Sequence, residues 1–142
     1  MQALQLTLFK RKRKRIGRGS SEFKLHVMVA DVLDRWGTKG WRHTHLPFGE
    51  YRGDPERAKI TGARLKRMGT KKGWPDFILC SPYPPEVHFL ELKRKGAQLT
   101  DEQDDLAAWF DTNGYTYAVA DTFKDAIDIL KAWGAVRATV SA

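Results

Sequence analysis

Apolar and polar residues along this 142-residue chain recur with different spacings, which separate the predicted helices from the predicted strands. From Leu25 to Trp36 the apolar side chains recur every three or four positions, and this spacing predicts a helix over residues 21–36. After this helix, residues 41–48 are predicted to form a strand. The chain therefore opens with one helix and one strand.

A second helix is predicted from the residues at its two ends. After a predicted loop over residues 49–54, Asp54 is a suitable N-cap, and Pro55 suits the first helical position because no N–H is needed there. Gly69 favours a helix end near Met68.

Two apolar runs in the middle of the chain predict an antiparallel hairpin. Residues 77–80 and 87–93 are rich in apolar, β-branched and aromatic side chains, whereas the proline-rich segment 81–85 is not expected to continue a strand. A turn centred between Tyr83 and Pro84 sets the register. It pairs Cys80 with Val87 and Ile78 with Phe89.

The same register places charged residues together at one end of the hairpin. Asp76 falls opposite Glu91, and cross-strand neighbours lie about 4.5–5.5 Å apart, so both carboxylates can reach one ion. Because strand side chains alternate, Glu91 and Lys93 share one face, while Leu90 and Leu92 point to the opposite, apolar face.

These side chains suit a metal-dependent reaction on a phosphodiester. Neighbouring carboxylates are ligands for Mg²⁺ or Mn²⁺, which keep further positions for water and phosphate oxygens. Such an ion acidifies bound water, and the Lys93 ammonium can orient that water and stabilise the transition state. Asp76, Glu91 and Lys93 are therefore the predicted catalytic residues, although E-x-K sequences also occur on solvated strands.

The C-terminal part of the chain continues to alternate helices with strands. Asn113-Gly114 ends one predicted helix, and the sequence from Thr122 to Asp125 has the form of a capping box that opens another. The predicted elements are a helix over 101–112, a strand over 115–120, a helix ending at Trp133 and a strand over 135–140. The complete order predicts an α/β fold with helices flanking a mixed sheet.

Several segments of the chain together match the pattern of a known family. They are Glu22 at the start of the first helix, Arg64-Leu65-Lys66-Arg67-Met68-Gly69 before Gly73-Trp74-Pro75-Asp76-Phe77, Phe89-Leu90-Glu91-Leu92-Lys93, and Leu99-Thr100-Asp101-Glu102-Gln103. With these segments, the chain resembles the VRR-NUC branch of the PD-(D/E)XK nucleases. The resemblance covers residues 20–120 and implies a restriction-endonuclease-like core. One departure is Trp74, at a position where a small β-branched residue is commoner.

The resemblance also implies roles for individual residues. Asp76, Glu91 and the main-chain carbonyl of Leu92 correspond to the metal ligands, and Lys93 corresponds to the catalytic lysine. The implied cofactor is Mg²⁺ or Mn²⁺, and the implied substrate is branched or flap-like DNA.

Two further residues, Glu22 and Gln103, match auxiliary catalytic positions of the same family and also have structural explanations. An acid in the first turn of a helix interacts favourably with the helix dipole, which explains Glu22 as well. Thr100 and Gln103 fit a capping box, in which the glutamine side chain bonds back to the Thr100 amide. Capping is the favoured role for Gln103.

The net charge of +8 is concentrated at the N-terminus. Residues 1–21 hold seven bases and no acids, so the other 121 residues carry 18 bases and 17 acids. Because like charges repel, residues 1–19 are predicted to be a flexible arm, and residues 20–142 the nuclease domain. The nucleic-acid-binding residues predicted in the arm are Lys10, Arg11, Lys12, Arg13, Lys14 and Arg15.

A second basic surface is predicted on the helix that begins at Pro55. Residues 22–73 hold 12 bases and six acids, whereas residues 74–142 hold six bases and 11 acids. One face of this helix is predicted to contact phosphates, although a solvated helix face would have the same pattern. Its residues are Arg57, Arg64, Arg67 and, if the helix continues, Lys71.

A pentapeptide in the arm resembles the QL(S/D)LF motif with which bacterial and phage proteins bind the DNA polymerase III sliding clamp. It consists of Gln5, Leu6, Thr7, Leu8 and Phe9. Leu and Phe anchors in an extended peptide suit binding to a preformed groove. Part of an edge strand or a frayed terminus is the alternative interpretation.

Composition limits the remaining possibilities. The single cysteine, Cys80, is expected in the core of a protein from a reducing compartment, and no apolar run has the length of a membrane span. We expect a soluble protein in the cytoplasm of a bacterium or phage-infected host, associated with the nucleoid. His43 and His45 lack a third zinc ligand nearby and are expected to make surface or loop contacts.

The sequence therefore predicts a metal-dependent DNA endonuclease acting on branched, flap or junction DNA in replication, recombination or repair. Small proteins of this type are often homodimers, so a homodimer stays open. One alternative is a non-catalytic nucleic-acid-binding or clamp-adaptor protein. Another is a sequence-specific restriction-type endonuclease.

Overall fold

The computed structural model describes residues 20–47 and 54–142, and these residues form four helices and four strands. The α/β order confirms the predicted fold class. The predicted arm, with its basic run and pentapeptide, and the predicted loop before Asp54 lie outside the described residues. The elements are α1 (Ser20–Trp36), β1 (Arg42–His45), α2 (Pro55–Arg67), β2 (Phe77–Pro82), β3 (Pro85–Leu92), α3 (Asp101–Thr112), β4 (Thr116–Ala120) and α4 (Phe123–Trp133).

The strands form one mixed sheet in the order β1-β2-β3-β4. Strands β1, β2 and β3 are antiparallel neighbours, and β4 runs parallel to β3. The predicted hairpin register is confirmed, because Cys80 pairs with Val87 and Ile78 pairs with Phe89.

The turn of this hairpin is shorter than predicted. Pro82 pairs with Pro85, so both strands continue into the proline-rich segment. The Ser81 hydroxyl holds the turn together, since it donates to the Pro84 carbonyl at 2.6 Å and accepts from the Glu86 amide at 3.1 Å. Prolines are tolerated here because they lie at the strand ends.

One face of the sheet packs against α1 and α4, and this layer contains the main hydrophobic core. Leu90 and Leu92 of β3 are fully buried in it, as the alternation of β3 predicted. Phe89 points to the other face, where it stacks on Phe110 of α3 at a centroid distance of 4.4 Å. Strand β3 is thus covered on both faces.

Side-chain caps explain why the helix starts agree with the sequence. Asp54 accepts a hydrogen bond from the Glu56 amide, Thr100 from the Gln103 amide and Thr122 from the Asp125 amide. Each cap satisfies an N–H group that the first helical turn leaves unpaired.

The structure corrects two predicted strands. Strand β1 has four residues, and the next amide, that of Leu46, donates to the Asp76 carbonyl at 2.7 Å. The expected strand over 135–140 is reduced to a single bridge between Val136 and Gly37. The Arg137 amide bonds to the end of α1, and Val140 bonds back to Arg137, so this segment is a turn.

The prediction of a buried cysteine was also wrong, because Cys80 is exposed on β2. Its neighbour Leu79 points into the core and is 1% exposed, so alternation places Cys80 on the other face. None of the helices in the described residues combines the length and apolar character needed to cross a membrane.

A buried histidine lies in β3, on the same face as Leu90. His88 packs between the rings of Trp41 and Trp133, at centroid distances of 5.0 and 5.1 Å. Its Nδ1 atom has no hydrogen-bond partner among the described residues. Burial lowers the pKa of His88, and the nearby Glu86 carboxylate opposes this effect, so the fold favours the neutral ring.

Candidate active site

The predicted acidic residues meet at the edge of the sheet where β2 begins and β3 ends. Asp76 immediately precedes β2, and Phe77 pairs with Leu90, so the register places Asp76 opposite Glu91. The Leu92 amide donates to Asp76 Oδ2 at 2.7 Å. The Asp76 carboxylate therefore reaches across to β3, as the hairpin pattern predicted.

Strand β1 fixes the main chain of Asp76. The Asp76 carbonyl accepts hydrogen bonds from the Leu46 amide at 2.7 Å and from His45 Nδ1 at 2.8 Å. Because a carbonyl only accepts, His45 must carry a proton on Nδ1. His45 was expected to make surface or loop contacts, whereas in the structure it is hydrogen-bonded to the main chain of Asp76.

Helix α1 contributes a second histidine that the sequence analysis did not identify. His26 Nε2 lies 3.6 Å from Asp76 Oδ2, and its ring meets the His45 ring edge-on at 5.1 Å. His26 lies four residues after Glu22, on the same face of α1, and this helical spacing is the signal that could have revealed it.

Glu91 contacts one neutral side chain, Gln103, and one cationic side chain, Lys93. It is only 2% exposed, and its Oε1 atom accepts from Gln103 Nε2 at 2.6 Å and lies 3.2 Å from Lys93 Nζ. Lys93 Nζ also donates to Gln103 Oε1 at 2.6 Å. Glu91, Lys93 and Gln103 thus form a closed triangle of polar contacts.

Gln103 serves as a cap and as a site residue at once. Its Oε1 atom accepts from the Thr100 amide at 2.9 Å, and the Thr100 hydroxyl accepts from the Gln103 amide, which completes the predicted capping box. The same side chain contacts Glu91 and Lys93. The two interpretations of Gln103 are therefore compatible, because capping orients the side chain toward β3.

The two carboxylates and Glu22 share an unfavourable electrostatic environment. Burial raises the pKa of Glu91 to about 7, the Asp76 charge adds to this, and Lys93 opposes it. Burial also raises the pKa of Asp76, whereas the hydrogen bond from the Leu92 amide and the nearby His26 lower it. The Glu22 charge raises the pKa of both acids, so Glu22 lies within electrostatic range of the site.

Tyr117 is another residue that the sequence analysis missed. It lies on β4 beside Phe89 of β3, and its ring stacks on Phe110 at 5.5 Å. Burial raises the pKa of the Tyr117 phenol, and the charges of Glu91 and Asp76 raise it further. The phenol therefore stays protonated beside the two acids.

Aromatic packing positions the segment that leads into Asp76. Trp74 contacts Phe89 and Phe110 edge-on, at centroid distances of 5.9 and 5.8 Å, and Pro75 is buried. Trp74, the departure from the family pattern, thus packs against β3 and α3 and stays 37% exposed.

Gly73 joins this segment to the first turn of α3. Its φ of +87° is a conformation that side chains rarely adopt, and a Cβ there would lie 2.6 Å from the Glu102 carbonyl oxygen. The close approach of the two backbones sets the position of Asp76 relative to Gln103.

The donor set fits a hard divalent cation. Asp76 and Glu91 are the two carboxylates that the strand register brings together here. Among the described residues, no group of three or more His, Cys, Asp or Glu side chains is arranged to hold a metal ion. The hydrogen bonds to the pair use Asp76 Oδ2 and Glu91 Oε1, one oxygen of each group. Mg²⁺ is usually bound in this way, by one or two carboxylates with water and phosphate oxygens completing its shell.

Comparisons with known proteins identify the family of this chain. The sequence profile of the VRR-NUC domain matches residues 54–124, which is half of the chain. The chain belongs to the VRR-NUC domain family. The matched segment contains Asp76, Glu91, Lys93 and Gln103, and because members of this family are generally nucleases, it supports a nuclease function.

Solved structures support the VRR-NUC fold independently of close sequence similarity. One, described as a VRR_NUC domain protein, is 23% identical with a TM-score of 0.57, covering 78% of this chain and 84% of the other. Another, described as a VRR_NUC domain, is 16% identical with a TM-score of 0.53, covering 78% and 95%. No curated protein sequence matches this chain.

The predicted phosphate-contacting residues are all exposed. Arg57, Arg64 and Arg67 are exposed on α2, in which no residue is buried. Lys71 is exposed but does not extend this helical face, because α2 ends at Arg67 and Gly69 adopts a positive φ.

Replacing Gly73 with alanine should damage both the fold and the VRR-NUC site. We expect Gly73→Ala to lower the free energy of unfolding by about 2–4 kcal/mol, because strain and a backbone clash combine. Gly69→Ala is the matched control, since Gly69 has a similar φ of +98° but no atom within 4 Å of a Cβ. Urea denaturation of both variants measures the difference, and equal losses would contradict the close packing at Gly73.

Replacing Glu91 with glutamine should stabilise the protein at alkaline pH without divalent ions. The folded pKa of about 7 exceeds the ordinary 4.5, so the stability linked to Glu91 is complete below pH 4.5 and is lost as the pH rises through 7. We expect the free energy of unfolding of Glu91→Gln to exceed that of wild type by about 1–3 kcal/mol at pH 8, and we expect this difference to disappear at pH 4.5.

Urea denaturation at both pH values, with chelator present, measures this effect. Glu102→Gln is the control, because Glu102 is an exposed acid in the first turn of α3. A Glu91→Gln advantage that does not depend on pH would show that the charge of Glu91 is not its cause.

Proposed function

We propose that this protein is a metal-dependent DNA endonuclease that hydrolyses phosphodiester bonds. The observation that carries the proposal is the meeting of Asp76 and Glu91 at neighbouring strand ends, with the Lys93 ammonium 3.2 Å from Glu91 Oε1. A buried acid and a half-buried acid beside one ammonium form an environment that a divalent cation would stabilise. Membership of the VRR-NUC family supports the same reaction class.

The proposed ligands of Mg²⁺ or Mn²⁺ are Asp76, Glu91 and the Leu92 carbonyl. The N–H and C=O groups of one strand residue point to the same side of the strand. The Leu92 N–H donates a hydrogen bond to Asp76, and this supports a Leu92 carbonyl that also points toward Asp76. When bound, the ion supplies Lewis acidity and lowers the pKa of a coordinated water.

The protein side chains would orient the reacting groups. The Lys93 ammonium lies within reach of an attacking water and can stabilise negative charge on the phosphorane. Gln103 fixes both Lys93 and Glu91, because its amide bonds to each of them. His26 of α1 and His45 of β1 would hold Asp76 in position and favour its charged form, whereas Glu22 of α1 opposes that charge.

Basic surfaces outside the site would bind the DNA backbone. We assign this role to the arm residues named above and to Arg57, Arg64, Arg67 and Lys71, the last as a loop residue. All four lie exposed beyond the packed core, where long cationic side chains can reach phosphates.

The preferred substrate in this proposal is branched, flap or junction DNA met in replication, recombination or repair. A cytoplasmic protein associated with the nucleoid, working as a homodimer when two cuts are needed, fits that role. A restriction-type enzyme would cleave by sequence rather than by shape. A non-catalytic adaptor would have no need to keep two acids together where burial makes their ionisation costly.

The N-terminal pentapeptide adds a proposed partner, the sliding clamp of bacterial DNA polymerase III. Leu6, Leu8 and Phe9 would fill the groove of the clamp, and Gln5 would add a polar contact. Tethering by the arm would raise the local concentration of the nuclease on DNA.

Substitutions at the site should separate cleavage from binding. We expect Asp76→Ala and Glu91→Ala to abolish Mg²⁺-dependent nicking while DNA affinity is kept, because they remove metal ligands. Lys93→Ala should lower the cleavage rate by about 10²–10³-fold with little change in affinity. A panel of linear, flapped, forked and four-way DNA with Mg²⁺ or chelator, together with a gel-shift titration, measures both properties.

Asp105→Ala, which removes an exposed acid from α3, is the control and should cleave like wild type. Cleavage retained by Asp76→Ala would show that the site lies elsewhere. Cleavage of linear DNA at one sequence only would favour the restriction-type alternative.

Removing the two anchors of the pentapeptide should weaken clamp binding. We expect Leu8→Ala/Phe9→Ala to lower affinity for a bacterial sliding clamp by at least about tenfold, because such anchors carry most of the binding energy. Lys12→Ala/Lys14→Ala, in the same arm, is the control for charge. Surface plasmon resonance against the clamp measures this, and equal affinities of wild type and the anchor variant would rule the motif out.

A further inference from the structure

A cleft of about 300 Å³ lies beside the active site, between α1, the segment after β3 and the start of α4. Basic side chains line part of it, namely Lys24, Arg94 and Lys95. Apolar side chains line another part, namely Leu25, Met28 and Phe123. The cleft therefore combines cations with an apolar surface.

The same chain segments build the cleft and the active site. Lys24 lies two residues after Glu22 on α1, and Arg94 directly follows Lys93. The site lies where β3 meets the start of β2, whereas the cleft lies where β3 and β4 end. The two are neighbours along one edge of the sheet.

The charge of the cleft favours an anion. Asp121 is the acid among its lining residues, and Asp121 Oδ2 accepts a hydrogen bond from the Gly96 amide at 3.0 Å. Three cations therefore face one carboxylate that is already hydrogen-bonded, and long basic side chains at such a position suit phosphate.

The apolar part of the cleft adds a second requirement on the ligand. Phe123 is half-buried at the first position of α4, where it packs against the core and also lines the cleft. Aromatic rings in such grooves stack on nucleobases irrespective of sequence. A volume of about 300 Å³ is at the small end for ligand pockets and suits one nucleotide unit rather than a duplex.

We propose that this cleft binds a nucleotide of the substrate strand next to the scissile phosphodiester. Lys24, Arg94 and Lys95 contact its phosphate, and the base packs against Phe123 and Met28. The strand thus runs along the sheet edge from the acidic site to the cleft. This inference rests on the proposed function, because it assumes a polynucleotide substrate.

Binding of DNA without metal tests the cleft separately from cleavage. The probe is a short fluorescent single-stranded oligonucleotide, measured by anisotropy on full-length protein carrying Asp76→Ala, with chelator present. We expect Lys24→Ala/Arg94→Ala to weaken binding by about tenfold and to reduce the slope of log affinity against log salt by about 0.7, since the neutralisation of one phosphate is lost.

The matched control is Lys39→Ala/Arg42→Ala, which removes the same charges from exposed positions outside the cleft. Equal affinities of the two double variants would overturn the proposal. Phe123→Leu keeps an apolar side chain but removes the ring, and we expect a further loss of about fivefold or more. Wild-type affinity in Phe123→Leu would overturn the base contact.

These outcomes are distinct from a failure of the proposed function. If wild type does not cleave DNA with Mg²⁺, the nuclease assignment fails, yet the anisotropy comparison still shows whether the cleft binds a strand. If cleavage occurs but both double variants bind alike, the cleft assignment alone fails.

Discussion

The structure depends on one electrostatic conflict, the meeting of a buried and a half-buried carboxylate at the ends of adjacent strands. Burial raises the pKa of both Asp76 and Glu91, and the Asp76 charge raises the pKa of Glu91 further. The Leu92 amide, Lys93 and Gln103 all direct N–H groups toward these carboxylate oxygens, and such donors favour the charged form of the acids. A site of this kind reduces stability unless a cation occupies it, which is typical of catalytic centres.

Each neighbouring element contributes a constraint on this pair. Strand β1 fixes the Asp76 main chain through Leu46 and His45, and Gly73 brings the preceding segment against the first turn of α3. The capping box at Thr100 then orients Gln103 toward β3. Local backbone features thereby set the distances between groups that are far apart in the sequence.

Much of this could be predicted because the signals are local. The hairpin register followed from strand alternation and the position of the turn, and that register brought Asp76 to Glu91. Caps and glycines gave the helix ends to within a residue. Gln103 was identified from the family resemblance, and its contacts show that the capping and site roles coincide.

The remaining features depend on tertiary packing, which short patterns do not encode. His26 and His45 come from different elements and meet only when α1 packs beside β1. Tyr117 reaches the acids through the parallel pairing of β4 with β3. Val136 has strand-like neighbours in sequence but faces the end of α1, so it forms only one bridge.

The most direct test of the central claim is a crystal structure of the protein soaked in Mn²⁺, with the anomalous signal used to locate the ion. The account predicts a peak about 2.0–2.3 Å from one oxygen of Asp76 and one of Glu91, with the Leu92 carbonyl as a third protein ligand. The Asp76→Ala variant, soaked in the same way, should show no such peak. An ordered Mn²⁺ elsewhere, with this pair still bound only to Gln103, Lys93 and the Leu92 amide, would contradict it.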